Sequence, residues 1–249
     1  MEITIPKTSA ALSTLLRADF TTQWSNRRSA ILTLVVPVII VISWKGLVTT
    51  IGGAFVLSNS ITLGLIATGL MGYSISIARD RDKGIFQRLR VAPIPSWSIM
   101  ASRLIVQLVM ILLITTAVFI AGSYYDKITL TPAEYALTYV TAIIGGAVYL
   151  SLGQLIVGLI LSPETVNSTT RLVYFVFIMI GMFGELNVLG QTVHDIERWS
   201  PYGTVKTIVA TGMDIRTWNN DTSLALLLTV LYTVIFSTVG IKRFKWTSK

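Results

Sequence analysis

The residues available for chemistry are few. The chain has one histidine, His194, and no cysteine in 249 residues, so thiolate ligation and disulfide bonding are excluded. No second ligand-type residue stands at a spacing that would join His194 in a metal site. No nucleophile–base pair or carboxylate dyad is laid out for catalysis either. We therefore expect no catalytic residue and no metal. The sharpest single residue is Glu185, which follows Phe175, Phe177, Met179, Met182 and Phe183. An ionisable group within a membrane segment costs about 2.5–3.5 kcal/mol and marks a path or a gate. Gly181, Gly184 and Gly190 favour the other reading, a helix break that leaves the charge hydrated near the outer surface.

The densest chemistry lies in Arg79-Asp80-Arg81-Asp82-Lys83-Gly84-Ile85-Phe86-Gln87-Arg88-Leu89-Arg90-Val91-Ala92-Pro93. Ile85, Phe86 and Leu89 fall on one helical face, charges surround them, and Pro93 and Pro95 stop the helix. A helix this short persists only when packed. Two readings compete: a solvated basic loop that sets topology, and a docking handle for a soluble partner, which alone explains the apolar face.

These groups are positioned by membrane helices. Hydrophobic residues make up 53% of the chain, charged residues 13%, and mean hydropathy is +0.70. The stretches 55–78, 104–125 and 135–163 contain no Asp, Glu, Lys or Arg, and each exceeds the roughly 20 residues that span a bilayer. The expected fold is an all-α integral membrane protein, one domain over 1–249, with six crossings at about 30–48, 55–78, 99–124, 134–161, 172–189 and 223–241. Pro37 kinks the first. An amphipathic helix over 8–28, with Leu12, Leu15, Leu16 and Phe20 on one face, lies in the interface. The stretch 191–221 is too apolar for a free loop; Pro201 splits it into two short helices that dip back against the bundle. With both termini inside, 15 of the 20 Lys and Arg fall on the inner side, the bias that orients multi-pass proteins. The net charge of +8 then faces anionic lipid, and no nucleic-acid partner is needed to explain it. The expected location is the plasma membrane, as a bacterial inner-membrane protein.

On the second crossing, Ser60, Gly64, Thr68, Gly72 and Ser76 form a small-residue stripe. We read it first as helix packing and second as a path lining. Asn59 and Tyr73 on the same helix are candidate path residues, as are Phe175, Met179, Met182, Phe183 and Glu185 on the fifth.

The motif Arg81-Asp82-Lys83-Gly84, continuing to Arg88-Leu89 and Val91-Ala92-Pro93, resembles the signature of ABC-2 type transporter permeases. The likeness extends to the whole layout and to Met182-Phe183-Gly184-Glu185 through Arg198-Trp199-Ser200-Pro201. Ile85 and Phe86 depart from the smaller polar residues usual after the Gly. The resemblance implies an exporter subunit of the drug- and lipid-exporting branch. It would pair with an identical or similar permease chain and bind two ATP-binding subunits that hold ATP and magnesium. Arg81, Asp82, Lys83, Gly84, Ile85, Phe86, Arg88, Leu89 and Pro93 would form the coupling helix. This chain has no Gly-rich phosphate loop and binds no cofactor itself; Leu150-Ser151-Leu152-Gly153-Gln154 mimics an ATPase signature by chance. The implied cargo is an amphipathic or apolar small molecule. The alternatives are an ATP-independent channel or secondary transporter, an exporter of a polysaccharide, and a scaffold without a path.

Overall fold

A computed structural model describes residues 8–25, 27–91, 95–185 and 190–246, and all regular structure among them is helical. Helix α1 (Thr8–Ser25) leads into α2 (Arg27–Ser43) and the short α3 (Lys45–Ile51). A continuous rod follows: α4 (Gly53–Ile66), a π-helical stretch (Ala67–Ser74) and α5 (Ile75–Asp82). Then come α6 (Ile85–Val91), α7 (Ser96–Asp126), α8 (Pro132–Leu159), α9 (Pro163–Glu185), α10 (Gln191–Trp199), α11 (Pro201–Met213), a 3-10 turn (Ile215–Thr217) and α12 (Asn220–Arg243).

Four stretches among the described residues are long and apolar enough to cross a bilayer: Gly53–Asp82, Trp97–Asp126, Pro132–Leu159 and Asn220–Arg243. The chain is thus a multi-pass membrane protein. Two of the expected crossings look different. Among the described residues of helix α2, the apolar stretch is the short Thr33–Ser43. Helix α9 starts at Pro163, before the expected 172, because Ser162 accepts from the Thr165 amide and Glu164 stands in the first turn. Its first half, with Asn167, Ser168, Thr169, Thr170 and Arg171, is polar.

Local chemistry explains the starts. Thr131 and Glu134 form a reciprocal capping box with Pro132 in the first turn of α8. Ser200 caps α11 ahead of Pro201, and the Asn219 side chain accepts from the Thr222 amide at 2.8 Å to open α12. Proline at 201 separates α10 from α11, as the sequence predicts.

The long rod is the centre of the bundle: every residue from Val56 to Ile66 is buried, with α2, α7, α8 and α11 around it. Small residues permit the closest crossings. A Cβ on Gly153 of α8 would stand 2.5 Å from the Gly69 carbonyl oxygen of the π stretch, and one on Gly158 the same distance from the Gly240 carbonyl oxygen of α12. The stripe on the rod serves such packing: Gly64 meets Pro37 and Ile114, and Thr68 donates back to the Gly64 carbonyl. Helix α12 packs on α8 and α11 and turns Leu224, Leu227, Val230, Leu231, Val234 and Ile235 outward, the arrangement lipid favours. Along α1, the half-buried Leu12, Leu15, Leu16, Asp19 and Phe20 repeat at helical spacing on a helix that packs against α7.

Candidate functional site

The charged island folds as a helix–turn–helix at the basic end of the bundle. Helix α5 ends at Asp82; the Lys83 and Gly84 amides donate to the Arg79 and Arg81 carbonyls. Gly84 has φ +68°, a conformation that costs an L-residue roughly 1–2 kcal/mol and glycine almost nothing. This turn sets α6 at its angle to the rod. Asp82, Lys83, Gln87 and Arg88 are exposed, Ile85 and Leu89 are half-buried, and Val91 is 87% exposed. Pro93 lies outside the described residues.

Two members of the island point the other way. Arg81 is fully buried. Its guanidinium donates to the carbonyls of Val157 at 2.6 Å, Ile160 at 2.6 Å and Leu161 at 3.0 Å. These oxygens, at and just beyond the end of α8, have no helical donors of their own, and a cation there also meets the negative end of the helix dipole. Phe86 is fully buried too. It makes edge-on contacts with Phe244 and Trp246, ring centres 6.0 and 5.9 Å away, just beyond α12. The Arg81 guanidinium lies 5.8 Å from the Phe244 ring. A direct touch between a partner and Arg81 or Phe86 is therefore closed off by the chain's own packing. Both anchor α5 and α6 to the ends of α8 and α12.

A second arginine completes the hub. Arg103 of α7 pairs with Asp19 of α1 at 3.0 Å and Asp80 of α5 at 2.5 Å, donates to Ser76 at 3.2 Å, and lies 5.9 Å from the Phe86 ring. Ser102 donates to Asp19 at 2.5 Å. Burial pushes the Asp19 carboxyl above the usual range, opposed by the Arg103 charge and the Ser102 hydrogen bond. The hub thus ties α1, α5, α6 and α7 at one level.

The candidate path residues do not converge. Asn59 is sealed in the core: it donates to the Phe55 carbonyl at 3.0 Å and accepts from the Tyr202 hydroxyl of α11 at 2.5 Å. Tyr73, also buried, donates to Gln154 of α8 at 2.8 Å. Phe175 and Phe183 are exposed on α9, and Met179 is half-buried. The side chains of Met182 and Glu185 lie outside the described residues. His194 contacts the Gly184 carbonyl at 3.1 Å through Nδ1, and no group of His, Asp and Glu able to hold a metal is present among the described residues.

Sequence reasoning missed three features. Nothing local in the sequence announces that Arg103, Asp80 and Asp19 pair with one another. Phe244 and Trp246 stand in a basic tail whose aromatic content was the available signal. Glu197 of α10 is buried and pairs with Lys206 of α11 at 3.1 Å, an internal charge pair on the connection between α9 and α12.

Comparison with known proteins gives the family. Residues 10–203 match the family model described as ABC-2 type transporter. Over 187 residues, 74% of each chain, the sequence is 24% identical to a protein of Bacillus subtilis (strain 168) described as "Putative transport permease YvfS". The matched stretch runs from α1 through the α6 turn to the start of α11, and the chain is a member of the ABC-2 type transporter family.

Proposed function

We propose that this chain is the membrane subunit of an ATP-driven exporter of an amphipathic or apolar small molecule. In this reading it crosses the membrane six times with both termini inside. It works as a pair of permease chains and is driven by two separate ATP-binding subunits that hold ATP and magnesium. The observation that carries the proposal is the divided face of the α5–α6 turn. Asp82, Lys83, Gln87 and Arg88 are free for a partner, while Arg81 and Phe86 grip the ends of α8 and α12.

That division is what a lever requires. Closure of a motor subunit on the outward face would displace α6. Gly84 sets the angle, Arg81 would carry the displacement to the end of α8, and Phe86 would carry it to α12 and, through Arg103, to α7 and α1. Gly69 and Gly153 hold α8 against the rod, so a shift of α8 would reach the π stretch without slack. The connection α10–α11, with its buried Glu197–Lys206 pair, would form part of the outer gate. Phe175, Met179, Phe183 and Glu185 of α9 would face the second permease chain or the path between the two.

The test is co-purification with a candidate ABC ATP-binding subunit co-expressed with this chain, followed by ATP hydrolysis in vesicles. Lys83→Glu with Arg88→Glu reverses two exposed charges and leaves the packing intact. We expect the double variant to fold, lose the partner and lose transport-coupled hydrolysis. Full retention of partner and hydrolysis would refute the lever.

A further inference from the structure

The geometry points to a binding site for an anionic amphiphile in a cavity of 710 Å³ at the basic end of the bundle, walled by α1, α2, the π stretch, α7 and α9. This deepens the exporter reading and rests on it. The volume lies within the range of small-molecule pockets, about 300–1,000 Å³. Its wall is divided by chemistry. At the mouth stand Arg79, Lys83 and Arg171, with no carboxylate partner among the described residues. The two acidic groups on the wall, Asp19 and Asp80, are both held by Arg103, so the mouth keeps an excess of positive charge. Elsewhere on the wall, the half-buried Val36, Ala67 and Met71 supply an apolar lining. A headgroup anion at the mouth with a tail along α2 and the π stretch matches both halves.

Two further observations point to a ligand. Gln107, only 4% exposed, lines the cavity with its amide oxygen unpartnered among the described residues; that oxygen accepts, so it calls for a hydroxyl, an N–H or a water and not for the anion itself, and a buried polar group left unpaired costs about 1–3 kcal/mol. Opposite it, the rod departs from α-helical winding over Ala67–Ser74, a deviation frequent at functional sites. Gly72 in that stretch opens onto the cavity: a Cβ there would meet nothing closer than the Gln107 amide oxygen at 3.5 Å. The three cations at the mouth select a carboxylate, sulfonate or phosphate headgroup and the apolar lining takes its tail, a narrower class than amphipathic molecules in general.

The test uses the full chain alone, in nanodiscs of neutral phosphatidylcholine, so that it does not depend on partner docking. Dansyl-labelled undecanoic acid and its methyl ester are titrated and read by fluorescence. We expect the acid to bind more tightly than the ester. Arg79→Gln with Arg171→Gln should lower acid affinity roughly tenfold, equal to 1.4 kcal/mol, with the ester unchanged. Gly72→Leu, which fills the cavity without a backbone clash, should abolish binding of both. Equal affinity for acid and ester would overturn the proposal. So would a double variant that weakens both alike or neither, or wild-type binding by Gly72→Leu. If binding behaves as expected but the ATP-binding partner never docks, the site stands and the exporter reading falls.

Discussion

Replacing Arg81 by methionine is the most informative perturbation. The side chain keeps similar length and loses its charge and all its donors. The structure then leaves the Val157, Ile160 and Leu161 carbonyls without the bonds of 2.6, 2.6 and 3.0 Å that satisfy them. A hydrogen bond to a charged group is worth about 1.5–3 kcal/mol, so three would suggest a large loss. Two terms reduce it. The guanidinium no longer has to be desolvated, and its Nε has no partner among the described residues. A buried acceptor left unpaired costs roughly 1–3 kcal/mol, and a net loss of that order fits the offset. Arg81→Lys keeps the charge but not the fork that spans three oxygens, so its loss should be smaller. The assay is thermal unfolding in detergent together with amide exchange along 153–161. Faster exchange at the end of α8, with the rest of α8 protected, would locate the loss where the carbonyls are freed. An unchanged unfolding midpoint in Arg81→Met with unchanged exchange would refute the capping role.

Three further predictions follow from the same geometry. Gly84→Ala should cost about 1–2 kcal/mol at φ +68° and lower coupled ATP hydrolysis more than partner binding; equal losses in both would argue against an angle-setting turn. Gly153→Val places carbon 2.5 Å from the Gly69 oxygen and should part α8 from the rod, breaking the Tyr73–Gln154 bond, with at least the roughly 1–3 kcal/mol of an overpacked core; a wild-type unfolding midpoint would contradict the close crossing. Burial raises the Asp19 carboxyl above its unfolded value of 3.8, so the folded chain binds that proton more readily than the unfolded one. This contribution to stability is complete below pH 3.8 and fades as pH rises through the folded value. Asp19→Asn removes that titration, so the wild-type-minus-variant stability difference should fall with rising pH across the acid range; a flat difference would show that Asp19 is not desolvated.

Much of the fold was legible because membrane helices declare themselves one at a time. The charge-free runs cover α4, the π stretch and the first turn of α5, most of α7, and α8 with the few residues beyond it, and Pro201 marks the break between α10 and α11. Weaker segments show where that reading thins. Helix α9 starts early because a serine cap and a polar first half extend it beyond the apolar run. The π winding of Ala67–Ser74 has no sequence signal of its own; it belongs to a rod fixed from several sides.

The site divides along the same line. Arg81 and Arg88 sit seven residues apart in one charged stretch and look alike as sequence, yet one is fully buried and the other exposed. Their difference lies in partners that sequence distance hides. The oxygens that Arg81 satisfies are 76 to 80 residues away, and the rings that enclose Phe86 belong to the far end of the chain. Composition set the island's total charge, but not which charges would be spent inside. The partition follows from helical geometry: Arg81 lies on the last turn of a rod whose inner face is already buried, whereas Arg88 lies beyond the Gly84 turn, on the outer side of a helix pinned by Phe86. A resemblance that treats the motif as one docking surface therefore merges two tasks. The outer half meets what lies beyond the bundle, and the inner half ties α5 and α6 to the ends of α8 and α12.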